Sequence, residues 1–253
     1  MNKYLKDIER IEFVVTMSCT GRCRHCSEGR HDIGGGHIDG AAAARAVTEV
    51  CGCYDIKSLM TFGGEPLLWP ETVCAIHSAA RAAGIPQRDI ITNGYFSRDK
   101  KRIRSVSGML HDSGVNRVLL SIDAFHQETI PLEPVEYFAD CLRESGVFTE
   151  LSPAWLRSPD DDNPYNNETH RLLKIFADKG FGIADGNIIF PQGNARIMLA
   201  EYFDGEEDKA NPYEEDPRHL RSLCFDPDGG VLGGNIRDSS IIGIMESYSP
   251  ENL

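Results

Sequence analysis

Apolar positions follow two alternating rhythms along this chain of 253 residues. Short runs dominated by β-branched and apolar residues stand at 11–16 (IEFVVT), 58–62, 90–92, 117–122 (RVLLSI) and 148–151, and these read as strands. A sixth strand is expected at 187–190, and the fifth extends toward Trp155. Between the strands the apolar residues shift to helical spacing. Val73, Ile76, His77 and Ala80 share one face, as do Val135, Phe138, Ala139 and Leu142. Helices are therefore expected over about 38–50, 71–83, 101–113 and 167–179, and around the Val135 stripe. Gly84, Gly114, Gly146 and Gly180 stand where helices stop.

Six strand–helix steps place the chain in the α/β class. Each crossover helix returns the chain to the same end of the sheet, so the strands run parallel. Six steps are too few for a closed eight-stranded barrel. An open, curved six-strand barrel and a doubly wound sheet both fit, and in either the ligand site lies beyond the carboxyl ends of the strands. Four special segments fall just there: a cysteine-rich loop after strand one, Gly63-Gly64-Glu65-Pro66 after strand two, Asn93-Gly94 after strand three, and Asp123 after strand four. A Gly34-Gly35-Gly36 hinge leads into the first helix. The rhythm breaks after residue 200. Residues 201–216 are dense in acid, and Asp226-Pro227-Asp228-Gly229-Gly230 is a turn signal between short strands, so the tail reads as a small hairpin appendage. The expected division is a core domain over 8–200 and a short extension over 201–253.

The formal charge of −13 disfavours phosphate backbones, so nucleic acid is not an expected partner. No apolar run reaches membrane-spanning length, and Met1 to Arg10 is charged, so neither a membrane segment nor a signal peptide is expected. Eight cysteines without a secretory signal point to a reducing cytoplasm, where thiols serve metals or catalysis. Cys19, Cys23 and Cys26 form Cys-x3-Cys-x2-Cys in the loop after strand one. Three thiolates on one short loop can hold three corners of a 4Fe–4S cluster and leave the fourth iron open. The alternative is zinc held by these cysteines and His25 in an interaction domain. Such a site closed within so short a loop would be strained, and no second ligand pair follows along the chain.

The cysteine loop after strand one, followed by the Gly-Gly-Glu-Pro turn after strand two, resembles the radical S-adenosylmethionine superfamily over roughly residues 8–200. The resemblance implies a partial (β/α)6 barrel and an enzyme whose cluster cleaves S-adenosylmethionine to a 5′-deoxyadenosyl radical that abstracts hydrogen from substrate. It implies that Cys19, Cys23 and Cys26 hold the cluster and that His25 packs near the adenine. Gly63, Gly64 and Glu65 would bind the methionyl amino group, and Ser121 and Asp123 the ribose hydroxyls or methionyl carboxylate. Asn93 would face the same cavity, and Ile188 with its neighbours would border the adenine. An electron donor such as flavodoxin or ferredoxin is implied as partner.

Pro191-Gln192-Gly193-Asn194-Ala195 resembles the Pro-x-Gly-Arg-Ala segment of members with a cysteine-rich SPASM extension, and Cys224 with its following turn resembles the start of that extension. No cysteine follows Cys224, so an auxiliary cluster is not expected and the tail reads as a truncated remnant. Cys224 is either a thiol hydrogen donor or a small packed residue, and packing is the favoured reading. Cys51, Cys53, Cys74 and Cys141 are expected to be structural. His126 could touch substrate or cofactor, and Trp155 could line the pocket or fill core. The expected substrate is a peptide or protein side chain, with a small molecule of cofactor or natural-product biosynthesis as the alternative.

Overall fold

The computed structural model describes residues 2–29, 31, 35–203 and 211–252. Gly34 of the expected hinge and 204–210 of the acidic segment lie outside the described residues. In chain order the elements are β1 (Arg10–Thr16), α1 (Gly40–Cys51), β2 (Ser58–Gly63), α2 (Pro70–Ala82), β3 (Gln87–Thr92), α3 (Lys100–Ser113), β4 (Arg117–Leu120), α4 (Ala124–Gln127), α5 (Leu132–Glu144), β5 (Phe148–Leu151), β6 (Ala154–Trp155), α6 (Pro164–Ala177), β7 (Gly182–Ile183), β8 (Asn187–Ile188), α7 (Gly193–Met198), β9 (Ser222–Phe225), β10 (Gly230–Val231), β11 (Gly234–Asn235) and α8 (Ile241–Ser247).

Seven strands form one parallel sheet in the order β7-β5-β4-β3-β2-β1-β9. The residues of β1 alternate between buried and half-buried. Ile11 and Phe13 pack with α1 and α2 residues such as Val47 and Ile76, while Val118, Leu120 and Leu151 pack with α3, α5 and α6 residues such as Leu110, Phe138 and Phe176. The major helices thus cover one face, which is the arrangement of an open barrel; a doubly wound sheet would carry helices on both faces. The opposite face presents Arg10, Glu12, Val14, Met60, Phe62, Ile91 and Leu119, all only half-buried.

One strand expectation and one helix start need correction. The sixth strand of the main sheet is β7, at Gly182–Ile183, and the expected strand at 187–190 instead supplies β8, which pairs with β6 in a separate two-stranded parallel sheet. The cause is a bend shared by both segments. Gly186 has φ +75°, and a Cβ there would stand 2.2 Å from Pro153 O, so the chain bends at this glycine before resuming its ladder on β6. The helix expected from 167 begins at Pro164, because Asn163 caps it by accepting from Asn166 N at 2.9 Å and proline is pre-set for the first helical position.

The tail carries a hairpin, β10–β11, but it turns at Leu232–Gly233; the expected turn at Asp226–Gly229 joins β9 to β10, which lie in different sheets. Its first strand is more than an appendage: β9 extends the main sheet beside β1, pairing Ile11 with Leu223 and Phe13 with Phe225. Leu223 and Phe225 are fully buried, and the Phe225 ring stacks on Phe13 at 4.5 Å.

Candidate active site at the carboxyl end of the sheet

Leaving β1, the chain enters the cysteine loop, which is fixed from several distant elements. Gly64 N donates to Thr16 O at 2.7 Å, and Glu65 N donates to Ser18 O at 2.8 Å, so the turn after β2 lies flat against the base of the loop. Both glycines are required for that contact. A Cβ would stand 2.4 Å from Thr16 O at Gly63, and 2.2 Å from Ser18 O at Gly64. At Gly21 a Cβ would lie 3.3 Å from the Cys23 sulfur and 3.7 Å from the Cys19 sulfur. The two thiols therefore both face Gly21, where a side chain would crowd them.

The thiols also share an electrostatic condition. Burial pushes the Cys19 thiol up to about 12, with the Glu65 carboxylate adding to the effect. Burial likewise raises Cys23 and Cys26, helped at Cys23 by Asp123 and the other two cysteines, while at Cys26 the Glu28 and Gly29 backbone N–H groups oppose it. One buried and two half-buried sulfurs that repel one another as thiolates suit a cationic centre that all three can bind. Gly21 N donates to the Cys19 sulfur at 3.3 Å and Asn93 Nδ2 at 3.5 Å, while a His31 ring nitrogen lies 3.0 Å from the Cys26 sulfur. This donor set, with the Cys19 and Cys23 sulfurs both turned toward Gly21, fits a thiolate-ligated iron–sulfur cluster. Among the described residues a second group, Cys23, His25 and His126, brings its ligand atoms within 4.8 Å of one another, and neither Cys19 nor Cys26 belongs to it.

Two residues expected to touch the cofactor directly are instead inaccessible. The Glu65 carboxylate is fully buried, accepting from Leu67 N at 2.9 Å, Thr92 Oγ1 at 2.7 Å and Asn93 N at 2.9 Å. Burial lifts its pKa to about 7 against the pull of these donors. It ties the end of β2 to the end of β3. Asp123 is also fully buried: it caps α4 through His126 N at 2.9 Å, holds His126 Nδ1 at 2.8 Å and accepts from Ala154 N at 3.0 Å. Burial opposes its charge, yet the His126 ring and these donors bring its pKa down to about 2.

Above Asp123, the His126 ring stands edge-on to His25, centroids 4.8 Å apart, and His25 lies 5.0 Å from the buried Phe125 ring. Burial depresses the His25 pKa to about 4, so the imidazole is neutral near pH 7. Asn93 is buried with its amide between Cys19, Thr20 and Tyr95 N. Ser121, 7% exposed, donates its backbone N–H to Thr92 O beside it. Ile188 is 45% exposed, on β8. Cys224 lies on β9 in register with Glu12, on the helix-free face of the sheet and exposed. Trp155 is buried with its indole N–H bonded to Asp185 O at 3.0 Å, the packing role. Among the other cysteines, Cys141 is buried and Cys74 half-buried within helices.

Sequence reasoning missed several supports. Thr92 links Glu65 to Gly94 N, and Arg24, inside the cysteine loop, pairs with Glu128 at 3.1 Å. Asn194 reaches back to the loop, donating from its backbone N–H to Cys26 O at 2.9 Å and from Nδ2 to Cys23 O at 3.0 Å. Its motif position flagged the segment, but a motif does not say which carbonyls an amide will find.

The family description "Radical SAM superfamily" matches residues 13–147, more than half of the chain. The GTP 3′,8-cyclase of Clostridium perfringens (strain SM101 / Type A) is 26% identical over 209 residues, covering 74% of this chain and 63% of that protein. The chain spans 38–63% of the lengths of the curated relatives it matches. Among solved structures, native anSMEcpe with bound AdoMet is similar at TM-score 0.60 and 17% identity, over 97% of this chain and 81% of that one. Streptococcus suis SuiB bound to the precursor peptide SuiA is similar at TM-score 0.62 and 13% identity, over 97% and 66%. At these identities the two structures attest the shared fold.

Proposed function

The chain belongs to the radical SAM superfamily, and on that premise we propose that it abstracts a hydrogen atom from a peptide or protein side chain seated against the helix-free face of its sheet. It is an enzyme of a family that uses a 4Fe–4S cluster and S-adenosylmethionine. When bound, these supply a strong hydrogen-atom abstractor generated by one-electron reduction, here from a flavodoxin or ferredoxin. Cys19, Cys23 and Cys26 hold the cluster. The Gly63–Gly64 backbone would hold the methionyl end, Ser121 would serve the ribose, and His25, a neutral ring, and Ile188 on β8 would serve the adenine. Glu65 and Asp123 act one layer below, holding Asn93 and His126 in place.

The observation that carries the substrate reading is the open sheet. The two edges, β7 and β9, remain apart, and exposed Ile183 and Ile188 line the β7–β8 side. An extended chain can enter laterally along such an edge. The nucleotide substrate in the name of the curated relatives favours the small-molecule alternative. Among the described residues of the helix-free face, Arg10 pairs with Glu12, and Arg117 with Asp89 and Glu150, at the amino ends of β1 and β4. Cys224 projects onto the same face. Partial burial and the carboxylates of Glu12, Asp226 and Glu28 push its thiol up to about 12, the S–H state that a hydrogen-atom donor needs.

The test is anaerobic reconstitution with iron and sulfide, then assay for 5′-deoxyadenosine with reductant and S-adenosylmethionine. A brown protein with absorbance near ~400 nm and 5′-deoxyadenosine formation, both lost in Cys23→Ala, is expected. Candidate peptides are then followed by mass spectrometry for a two-hydrogen loss, epimer or cross-link. A protein that takes up no iron and forms no 5′-deoxyadenosine refutes the reading, and turnover of a nucleotide but no peptide moves it to the alternative.

A further inference from the structure

We infer that Asn194 is a positioning residue for the cluster loop, setting the geometry of Cys23 and Cys26 from the far end of the core. This rests on the reading of the three cysteines as cluster ligands. One asparagine holds both carbonyls of the Cys-x2-Cys segment: its backbone N–H donates to Cys26 O at 2.9 Å and its side-chain amide to Cys23 O at 3.0 Å. The loop's own bonds at these carbonyls are longer, 3.4 Å from Cys26 N to Cys23 O and 3.2 Å from Gly29 N to Cys26 O.

The approach is close enough to demand the preceding glycine. Gly193 has φ +55°, and a Cβ there would stand 2.3 Å from Ser27 O and 2.5 Å from Cys26 O. The brace is itself anchored. Ala195 and Leu199 are fully buried in a cluster with Phe125, the ring beside His25. Cys19, by contrast, is fixed from β3 through Asn93. The loop is therefore held by two independent hands, one on Cys19 and one on the Cys23–Cys26 pair. A cluster bridging all three is strained if either shifts. Asparagine stands where the resembling Pro-x-Gly-Arg-Ala motif has arginine, so the brace here is a neutral amide that adds no cation beside the cluster.

The test compares wild type, Asn194→Ala, Asn194→Asp and Ile197→Ala in the full chain, each reconstituted anaerobically. Ile197 is a control on the same helix, 80% exposed. Iron and sulfide content, iron loss to a chelator, and the low-temperature EPR spectrum of the reduced cluster with and without S-adenosylmethionine are measured. Asn194→Ala keeps the backbone bond and loses the side-chain one, so chelator loss should quicken roughly fivefold to tenfold with shifted EPR g values. Asn194→Asp, which sets an acceptor against Cys23 O, should be worse. Ile197→Ala should match wild type. Circular dichroism of the apo proteins checks folding; an unfolded Asn194→Asp leaves Asn194→Ala to decide. A wild-type cluster with unchanged chelator loss and EPR in Asn194→Ala overturns the inference alone. A wild type that assembles no 4Fe–4S cluster overturns the cysteine reading and the inference together.

Discussion

Replacing Gly64 by alanine should separate the turn after β2 from the cysteine loop. The added Cβ would stand 2.2 Å from Ser18 O, 2.6 Å from Ser18 C and 2.8 Å from Met17 O. All three are backbone atoms, so no side chain can swing aside, and the turn must retreat by about 1 Å to reach ordinary contact. That retreat breaks the 2.8 Å bond from Glu65 N to Ser18 O and strains the 2.7 Å bond from Gly64 N to Thr16 O. Overpacking costs about 1–3 kcal/mol and the lost bond about 1 kcal/mol, together ~2–4 kcal/mol. For a chain of this size each kcal/mol moves Tm by about 2–4 °C, so the apo protein should melt ~4–16 °C lower. Iron uptake should fall with it, because the displaced Ser18 adjoins Cys19. Thermal unfolding of apo Gly64→Ala under anaerobic reducing conditions, with iron analysis after reconstitution, measures both. Gly36→Ala is the control, since its Cβ meets nothing within 4 Å. A Gly64→Ala protein melting within 2 °C of wild type with a full iron complement would refute the close-approach argument.

Phe225→Ala should lose about 3–5 kcal/mol by urea denaturation, because the ring is fully buried against Phe13; a loss below 1 kcal/mol would mean the tail is not part of the core. Asp123→Ala strips the acceptor from His126 N and Ala154 N and should cost roughly 2–6 kcal/mol in the same assay. The two buried carboxylates should titrate with opposite sign. Asp123, held at about 2 against an ordinary 3.8, contributes stability that is full above pH 3.8 and fades as pH falls through 2; Asp123→Asn should flatten that acid limb. Glu65, raised from 4.5 to about 7, binds its proton more tightly folded than unfolded. Relative to Glu65→Gln, wild type should lose up to roughly 3 kcal/mol as pH rises from 4.5 to 7 and then level off, followed by urea midpoints across that range.

Local physics made much of the fold legible. The runs at 11–16 and 117–122 and the stripe Val135–Leu142 carry their period in neighbouring residues, and each became the expected element. β7, and the place of β9 in the main sheet, are not legible for the same reason: a two-residue strand and the four residues SLCF show too little period, and only their partners β5 and β1 make them part of the sheet. The bend at Gly186 likewise depends on Pro153, which no window around residue 187 contains.

At the site the division is similar. The sequence by itself determined that three thiols share one loop after the first strand and that a double glycine follows the second, and so which family the chain resembles, because ligand chemistry and spacing are properties of adjacent residues. Only the tertiary structure decided that Glu65 and Asp123 are buried supports, that the sheet carries its helices on one face, and that Asn194 reaches back to Cys23 and Cys26. Those facts turn on desolvation and on hydrogen bonds between groups far apart in the chain, and such partners exist only once the strands have been brought side by side.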